Sequence, residues 1–175
     1  MTTLPALTAR VQHLEDIAAI KELKHRYLRA CDLKQPDVVR DCFDPDGVVI
    51  DYEGFPPFDN REAFAKVYES MACTPNIVDI HHAANPEIDM AIGSDTAKAK
   101  WGLSFQNVNI SARTCIQMAC EYNDEYVKKG GRWWIKKSQS RRTSFLMQKF
   151  DDNGIPTVLS FGNEGPKVFG EAPKK

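Results

Sequence analysis

The chain has 175 residues, enough for one domain with a real hydrophobic core, and 42% of them are hydrophobic, including nine Phe, five Tyr and three Trp. Basic and acidic side chains nearly balance, at 23 and 24, and no basic patch is interleaved with aromatics, so neither nucleic acid nor a membrane surface is an expected partner. No apolar run is long enough to span a bilayer. Met1-Thr2-Thr3-Leu4-Pro5 lacks the pattern of a signal peptide. Five cysteines (Cys31, Cys42, Cys73, Cys115, Cys120) with no C-x-x-C pair read as reduced, mostly core thiols. A cytoplasmic location is therefore expected.

The first third reads as helical. Ile17, Ile20, Leu23, Tyr27 and Ala30 or Cys31 recur at spacings of three and four, which predicts one amphipathic helix over about Arg10 to Cys31. Two residues do not fit a plain core stripe. The Tyr27 hydroxyl needs a partner if buried, and Asp32 places a carboxylate against the negative end of the helix dipole. A short second helix is predicted over Pro36 to Phe43, then a turn at Asp44-Pro45-Asp46-Gly47 and a strand over Val48 to Tyr52. Asn60 caps a third helix, Arg61 to Met71, with Phe64, Val67, Tyr68 and Met71 as its buried face.

Beyond Pro75 the chain reads as strands: Ile77 to Ala84, Glu87 to Ile92, Thr96 to Asn109, Arg113 to Lys128 and Arg132 to Met147. Gly93-Ser94-Asp95 and Gly130-Gly131 supply hairpin turns. Trp101, Leu103 and Phe105 alternate with smaller or polar neighbours, as do Ile116, Met118, Cys120 and Tyr122, the mark of half-buried antiparallel strands. Residues 151–175 are rich in Gly and Pro and read as a tail on a domain of residues 1–150. Helices followed by long antiparallel strands make an α+β fold. A curved, cone-shaped antiparallel sheet covered by the N-terminal helices, an α+β barrel, would enclose a pocket.

Of four histidines, His13 and His25 fall on the charged side of the first helix and are expected to face solvent. His81 and His82 are adjacent in a strand, so they point to opposite faces: Asp79, His81 and Ala83 on one, Val78, Ile80 and His82 on the other. One of them must face the interior, as a packed core histidine or as a base. Adjacent strand histidines cannot share a metal, and no other cluster has ligand spacing, so no metal site is expected. Arg141-Arg142 sits in a stretch poor in large apolar residues. It reads either as a solvated edge or dimer contact, or as an inward arginine that holds negative charge. No nucleophile elbow, phosphate loop or dinucleotide fingerprint is present, and no cofactor is expected.

The element order, the stretch Ile20-Lys21-Glu22-Leu23-Lys24-x-x-Tyr27-x-x-x-x-Asp32 and a strand histidine after it resemble the SnoaL-like branch of the nuclear transport factor 2-like superfamily. Within that branch, residues Leu14 to Phe150 are most similar to the bile-acid 7α-dehydratases. The resemblance rests on the Tyr27/Asp32 pair, Ile80-His81 leading into Asn85-Pro86-Glu87-Ile88, Trp101, Gly131-Arg132-Trp133-Trp134-Ile135 and Arg142. It implies a pocket holding Tyr27, Asp32, His81 and Arg142. Phe105 stands where those enzymes carry an additional acidic residue, which makes the pocket more apolar.

The expected function is a cofactor-independent lyase of the dehydratase type, acting on an apolar polycyclic or aromatic substrate such as a steroid or a lignin-derived aromatic. His81 would take a proton, Asp32 would orient the imidazole, Tyr27 would donate to a carbonyl or leaving oxygen and Arg142 would stabilise negative charge. Tyr52, Trp101, Phe105, Met118 and Trp134 would bind the substrate. In a continuous helix Tyr27 and Asp32 lie about 140° apart, so their meeting requires the helix to break between them. Relatives on this scaffold leave open an isomerase or retro-aldol deformylase, and a non-catalytic binder or a subunit like the β subunit of ring-hydroxylating dioxygenases. A homodimer or higher homo-oligomer is expected by resemblance.

Overall fold

The computed structural model describes residues 3–163. Helix α1 spans Leu4–Asp32, starting ahead of the expected Arg10 because Thr3 caps it, accepting from the Ala6 amide, with Pro5 in the first turn. Ile20, Leu23, Tyr27, Ala30 and Cys31 are buried as the stripe requires. Lys24 is buried with them, at 0% exposure. The helix continues unbroken through Asp32 and then stops at Lys34, whose φ of 58° is left-handed and lets the Gln35 amide reach the Ala30 carbonyl at 3.0 Å. Tyr27 and Asp32 therefore leave the helix in different directions and have separate partners.

Helix α2 is only Pro36–Arg40. It ends before the expected Phe43 because Phe43 drops out to bridge Ile135, wholly buried, with its ring 5.1 Å from that of Tyr27. Strand β1 is Val49–Tyr52, and helix α3 is Arg61–Ala72, capped by the Asn60 side chain accepting from the Ala63 amide at 2.7 Å. Its buried residues are Phe64 and Ala65, with Val67 and Tyr68 half-buried. The Tyr68 hydroxyl donates to the Cys31 carbonyl at 2.8 Å. The last turn is uncovered, so Met71 stands 41% exposed rather than buried as expected.

The remaining strands are β2 (Ile77–Asp89), β3 (Thr96–Asn109), β4 (Thr114–Lys129), β5 (Arg132–Phe150) and β6 (Pro156–Gly162). The two strands expected on either side of Asn85-Pro86 are one. Asn85, at φ 51°, makes a bulge that absorbs the proline without ending the strand. Strands β2 to β5 are antiparallel neighbours in the order β5-β4-β3-β2; β1 pairs in parallel with the first half of β5 and β6 antiparallel with its second half. Part of the stretch read as a tail thus joins the sheet, while residues after Asn163 lie outside the described region. Four bulges curve the sheet. Strands β1 and β2 do not pair, so the sheet is open and curved with the N-terminal helices on its inner face, the α+β arrangement expected from the sequence.

Register sorts the two faces. Rows His81–Phe105–Met118–Phe145, Ala83–Leu103–Cys120–Arg142 and Trp101–Tyr122–Ser140–Tyr52 face the helices. On the outer face, Val78–Val108–Cys115–Gln148–Val158 and Ile80–Gln106–Gln117–Leu146–Phe161 run across five strands without a charge.

A polar network lies under α1. Asp124, with no exposed side-chain surface, accepts from Lys24 Nζ at 2.8 Å, the Ser138 hydroxyl at 2.7 Å and the Tyr126 hydroxyl at 2.8 Å. Trp101 Nε1 donates to Tyr126 at 3.1 Å. A buried ion pair gives little net stability when intact, because desolvation offsets its attraction, but an unpaired survivor is costly. Lys24→Met is expected to lower unfolding free energy by about 3–5 kcal/mol, measured by denaturant titration; a loss below 1 kcal/mol would show that Asp124 needs no cation.

Two further buried carboxylates hold the periphery. Burial alone would raise Asp16, yet hydrogen bonds from Lys128 at 2.7 Å and Trp133 Nε1 at 2.8 Å outweigh it and keep the carboxyl below the usual range. Asp44 is lowered in the same way, against burial, by Lys129, the Asp46 amide and Lys136. Because both are lowered on folding, their contribution is present above the ordinary carboxylate pKa of about 4 and is lost as pH falls through the native values. Unfolding free energy should therefore fall below about pH 4, and less steeply in Asp16→Asn; parallel pH profiles for the two proteins would refute the assignment.

Candidate active site

Asp32 and His81 meet where the C-terminal end of α1 crosses β2. His81 faces the helices by strand parity, and His82 is exposed on the other side. Asp32 Oδ1 lies 2.7 Å from His81 Nδ1, and the same carboxylate accepts from the His81 backbone amide at 3.0 Å. Two donors from one residue explain how a carboxylate is kept at the negative end of a helix dipole. The carboxylate requires a proton on Nδ1, so in the neutral ring Nε2 carries the lone pair. Nε2 has no hydrogen-bond partner among the described residues. The His81 and Asp32 side chains are 15% and 23% exposed, open enough to be reached. Phe105, cross-strand from His81, lies 4.6 Å away ring to ring, and Met118 follows in the same row.

Tyr27 is placed elsewhere. Its hydroxyl is 3.0 Å from that of Tyr52, which donates to Ser138 at 3.0 Å, which donates to Asp124. A carboxylate only accepts, and each hydroxyl has one proton. The chain therefore runs one way, Tyr27 to Tyr52 to Ser138 to Asp124, and the Tyr27 proton is spent on Tyr52. With the residue 3% exposed, the expected donation from Tyr27 to a substrate oxygen does not fit. Burial foremost, then the neighbouring Tyr52, pushes its phenol well above the ordinary value, so it stays protonated.

Arg142 faces inward on β5, with its side chain 9% exposed, and is held by Glu53: Nε and Nη2 lie 3.2 and 3.1 Å from Oε1. Its row is next to that of His81, and no contact joins it to His81, Asp32 or Tyr27. Among the expected substrate-binding residues, Phe105 and Met118 are half-buried beside His81, and Tyr52 is a link in the network. Trp101 is corrected to core: it is 1% exposed, with its N–H committed to Tyr126. Trp134 is corrected too. Its neighbours Trp133 and Ile135 face inward at 4% and 0% exposure, so Trp134 faces outward, with the Arg132 guanidinium 3.8 Å over its ring. Two hollows at the surface, of about 460 and 670 Å³, lie against residues such as Glu87, Asp89, Lys98 and Glu125 and include none of the expected site residues.

Lys24 and Asp124 were missed by sequence reading. The available signal was a lysine on the same stripe as Ile20 and Tyr27 and an aspartate in phase with Cys120 and Tyr122. His25 is exposed as expected, but His13 is half-buried with an unpartnered Nδ1. Burial raises the thiols of Cys31, Cys42 and Cys120, the last to about 11, which disfavours the thiolate form that a nucleophile needs. No group of three or more His, Cys, Asp or Glu side chains that could hold a metal occurs among the described residues.

The solved structures similar to this chain share its fold. A candidate scytalone dehydratase from Novosphingobium aromaticivorans DSM 12444 is 22% identical, with a TM-score of 0.69 over 79% of this chain and 90% of that one. A type 2 hexachlorocyclohexane dehydrochlorinase (LinA) is 19% identical, with a TM-score of 0.69 over 91% and 99%. The LinA type 3 enzyme of Novosphingobium barchaimii LL02 is 18% identical, with a TM-score of 0.67 over 90% and 99%. The SnoaL-like domain matches residues 12–139, most of the chain and every element from α1 to the first part of β5. The protein belongs to the SnoaL-like domain family.

Proposed function

We propose that this protein is a lyase that needs only its own side chains, removing water from an apolar polycyclic or aromatic hydroxy ketone of the steroid or lignin-derived kind. The observation that carries the reading is the Asp32–His81 pair, an imidazole with Nδ1 held by a carboxylate and Nε2 open. A packed core histidine would have both nitrogens satisfied. The scaffold supports the same direction, since similar structures bear the names of a dehydratase and of dehydrochlorinases, both eliminations.

His81 Nε2 takes the proton beside the substrate carbonyl, and Asp32 stabilises the imidazolium that forms. The electron pair moves to form the carbon–carbon double bond as the β-hydroxyl departs. The imidazolium returns its proton to that hydroxyl, so water leaves and the base is restored. Phe105 and Met118 bring an apolar wall to the pair, which strengthens each electrostatic contact by excluding water. Arg142, with Glu53 balancing part of its charge, faces inward in the row next to that of His81 and would stabilise the enolate oxygen.

The test uses a panel of polycyclic β-hydroxy ketones, following the conjugated enone by its absorbance. His81→Ala and Asp32→Asn should each reduce turnover about 10²–10⁴-fold, the contribution of a placed base. His82→Ala, on the outer face, should stay within about threefold. Equal loss from His82→Ala, or retained turnover in His81→Ala, would refute the base assignment.

The reading also includes self-association. The two uncharged outer rows leave Val78, Ile80, Val108, Val158 and Phe161 between 39% and 79% exposed side by side, the kind of apolar patch that marks an interaction surface. A second copy can cover them without burying an unpaired charge. Ile80→Glu with Phe161→Glu should convert a dimer or larger oligomer to monomer in sedimentation velocity, and a wild type that sediments as a monomer would refute this part.

A further inference from the structure

We propose that Tyr122 on β4, assisted by Arg142, is the donor to the substrate's carbonyl oxygen, in the place that sequence reading gave to Tyr27. The inference deepens the elimination reading and rests on it for the identity of the oxygen.

Every other tyrosine has a hydrogen bond to its hydroxyl: Tyr27 and Tyr52 with each other, Tyr68 to Cys31, Tyr126 with Trp101 and Asp124. Tyr122 has none. Among the described residues the one sealed side-chain N or O without a partner is His13 Nδ1, so the Tyr122 hydroxyl, also unpartnered, must reach accessible space although its ring is buried. Ser140, directly across on β5, is in the same position: buried as a residue, its hydroxyl neither bonded nor sealed. Two open hydroxyls on one inward row mark a polar spot that the protein does not satisfy by itself.

The surroundings suit an acceptor. Lys24 Nζ lies 3.5 Å from the centre of the Tyr122 ring, drawing density from the ring and favouring the hydroxyl as a donor. Tyr52 packs edge-on at 5.5 Å and fixes the ring plane. Burial, the largest influence, with Tyr52 and Cys120 beside it, pushes the phenol far above its ordinary value, so the proton stays available for donation. Arg142 pairs with Cys120, two residues along β4, which makes it the diagonal neighbour of Tyr122 at about 7–8 Å, within reach of two long side chains. Its Nη1 makes no hydrogen bond among the described residues. Phenol and guanidinium can therefore converge on one oxygen.

The experiment has two arms. The first needs no turnover: fluorescence titration with 2-naphthol at a pH alkaline enough to ionise it, where its oxygen is a strong acceptor. Tyr122→Phe should weaken binding at least tenfold with an unchanged thermal midpoint, and Tyr27→Phe less than threefold. Equal losses in the two variants, no loss in Tyr122→Phe, or no binding by the wild type would overturn the proposal. The second arm uses any β-hydroxy ketone that the wild type converts. There Tyr122→Phe should lower kcat about 10²–10³-fold with little change in KM, the signature of a donor acting on developing charge. If His81→Ala is silent while Tyr122→Phe weakens naphthol binding, the elimination reading fails and the donor assignment stands. An effect in His81→Ala with none in Tyr122→Phe separates the opposite case.

Discussion

The buried carboxylate of Asp124 is the constraint around which this fold is arranged. It takes protons from α1 through Lys24, from β5 through Ser138 and from its own strand through Tyr126, and Ser138 passes the connection to β1 and back to α1 through Tyr52 and Tyr27. An isolated charge in that position would be prohibitively unfavourable, so the elements cannot separate without stranding it. The apolar stripe presses the helix onto the sheet, but it would tolerate sliding. The network fixes helix, sheet and edge strand at one register, since a hydrogen bond fails with a displacement that an apolar contact absorbs.

That fixation has a consequence at the other end of the helix. Because α1 is rigid and unbroken to Asp32, its last residue arrives at β2 in one place, and the His81 amide and ring both meet the carboxylate there. The base is thus oriented by backbone geometry as well as by a side chain. Asp124 and Asp32 use the same chemistry for different ends. Asp124 is saturated by its donors and sealed, while Asp32 leaves the far nitrogen of its partner open.

The inward face is divided in the same way. Tyrosines whose protons are committed inside the protein support the core, and the one whose hydroxyl is uncommitted lies two positions from Cys120, in the row next to that of Arg142. The polarity of a hydrogen-bond chain, read from the carboxylate outward, decides which phenol is free. Phe105 against His81 keeps the acid–base end apolar, in accord with a substrate whose bulk is hydrocarbon and whose few oxygens are placed at defined points.

Much of this architecture was legible in the residues. The α1 stripe, the Asn60 cap, the boundaries of β3 and the parity that puts His81 and His82 on opposite faces follow from periods of 3.6 and 2, which are local properties of a chain. What escaped was non-local. Lys24 reads as a surface lysine until an aspartate a hundred residues away is brought under it, and Trp134 reads as an aromatic wall until register turns Trp133 and Ile135 inward instead. The Asn85-Pro86 pair reads as a break until the neighbouring strand holds both sides of the bulge. Sequence alone determined the α+β class, the helix that carries Tyr27 and Asp32, and the opposition of His81 and His82. Only the tertiary structure decided that Asp32 holds His81 while Tyr27 is spent on Tyr52, because a hydrogen bond needs its partners within about 3 Å and in line, and spacing along a chain cannot convey that.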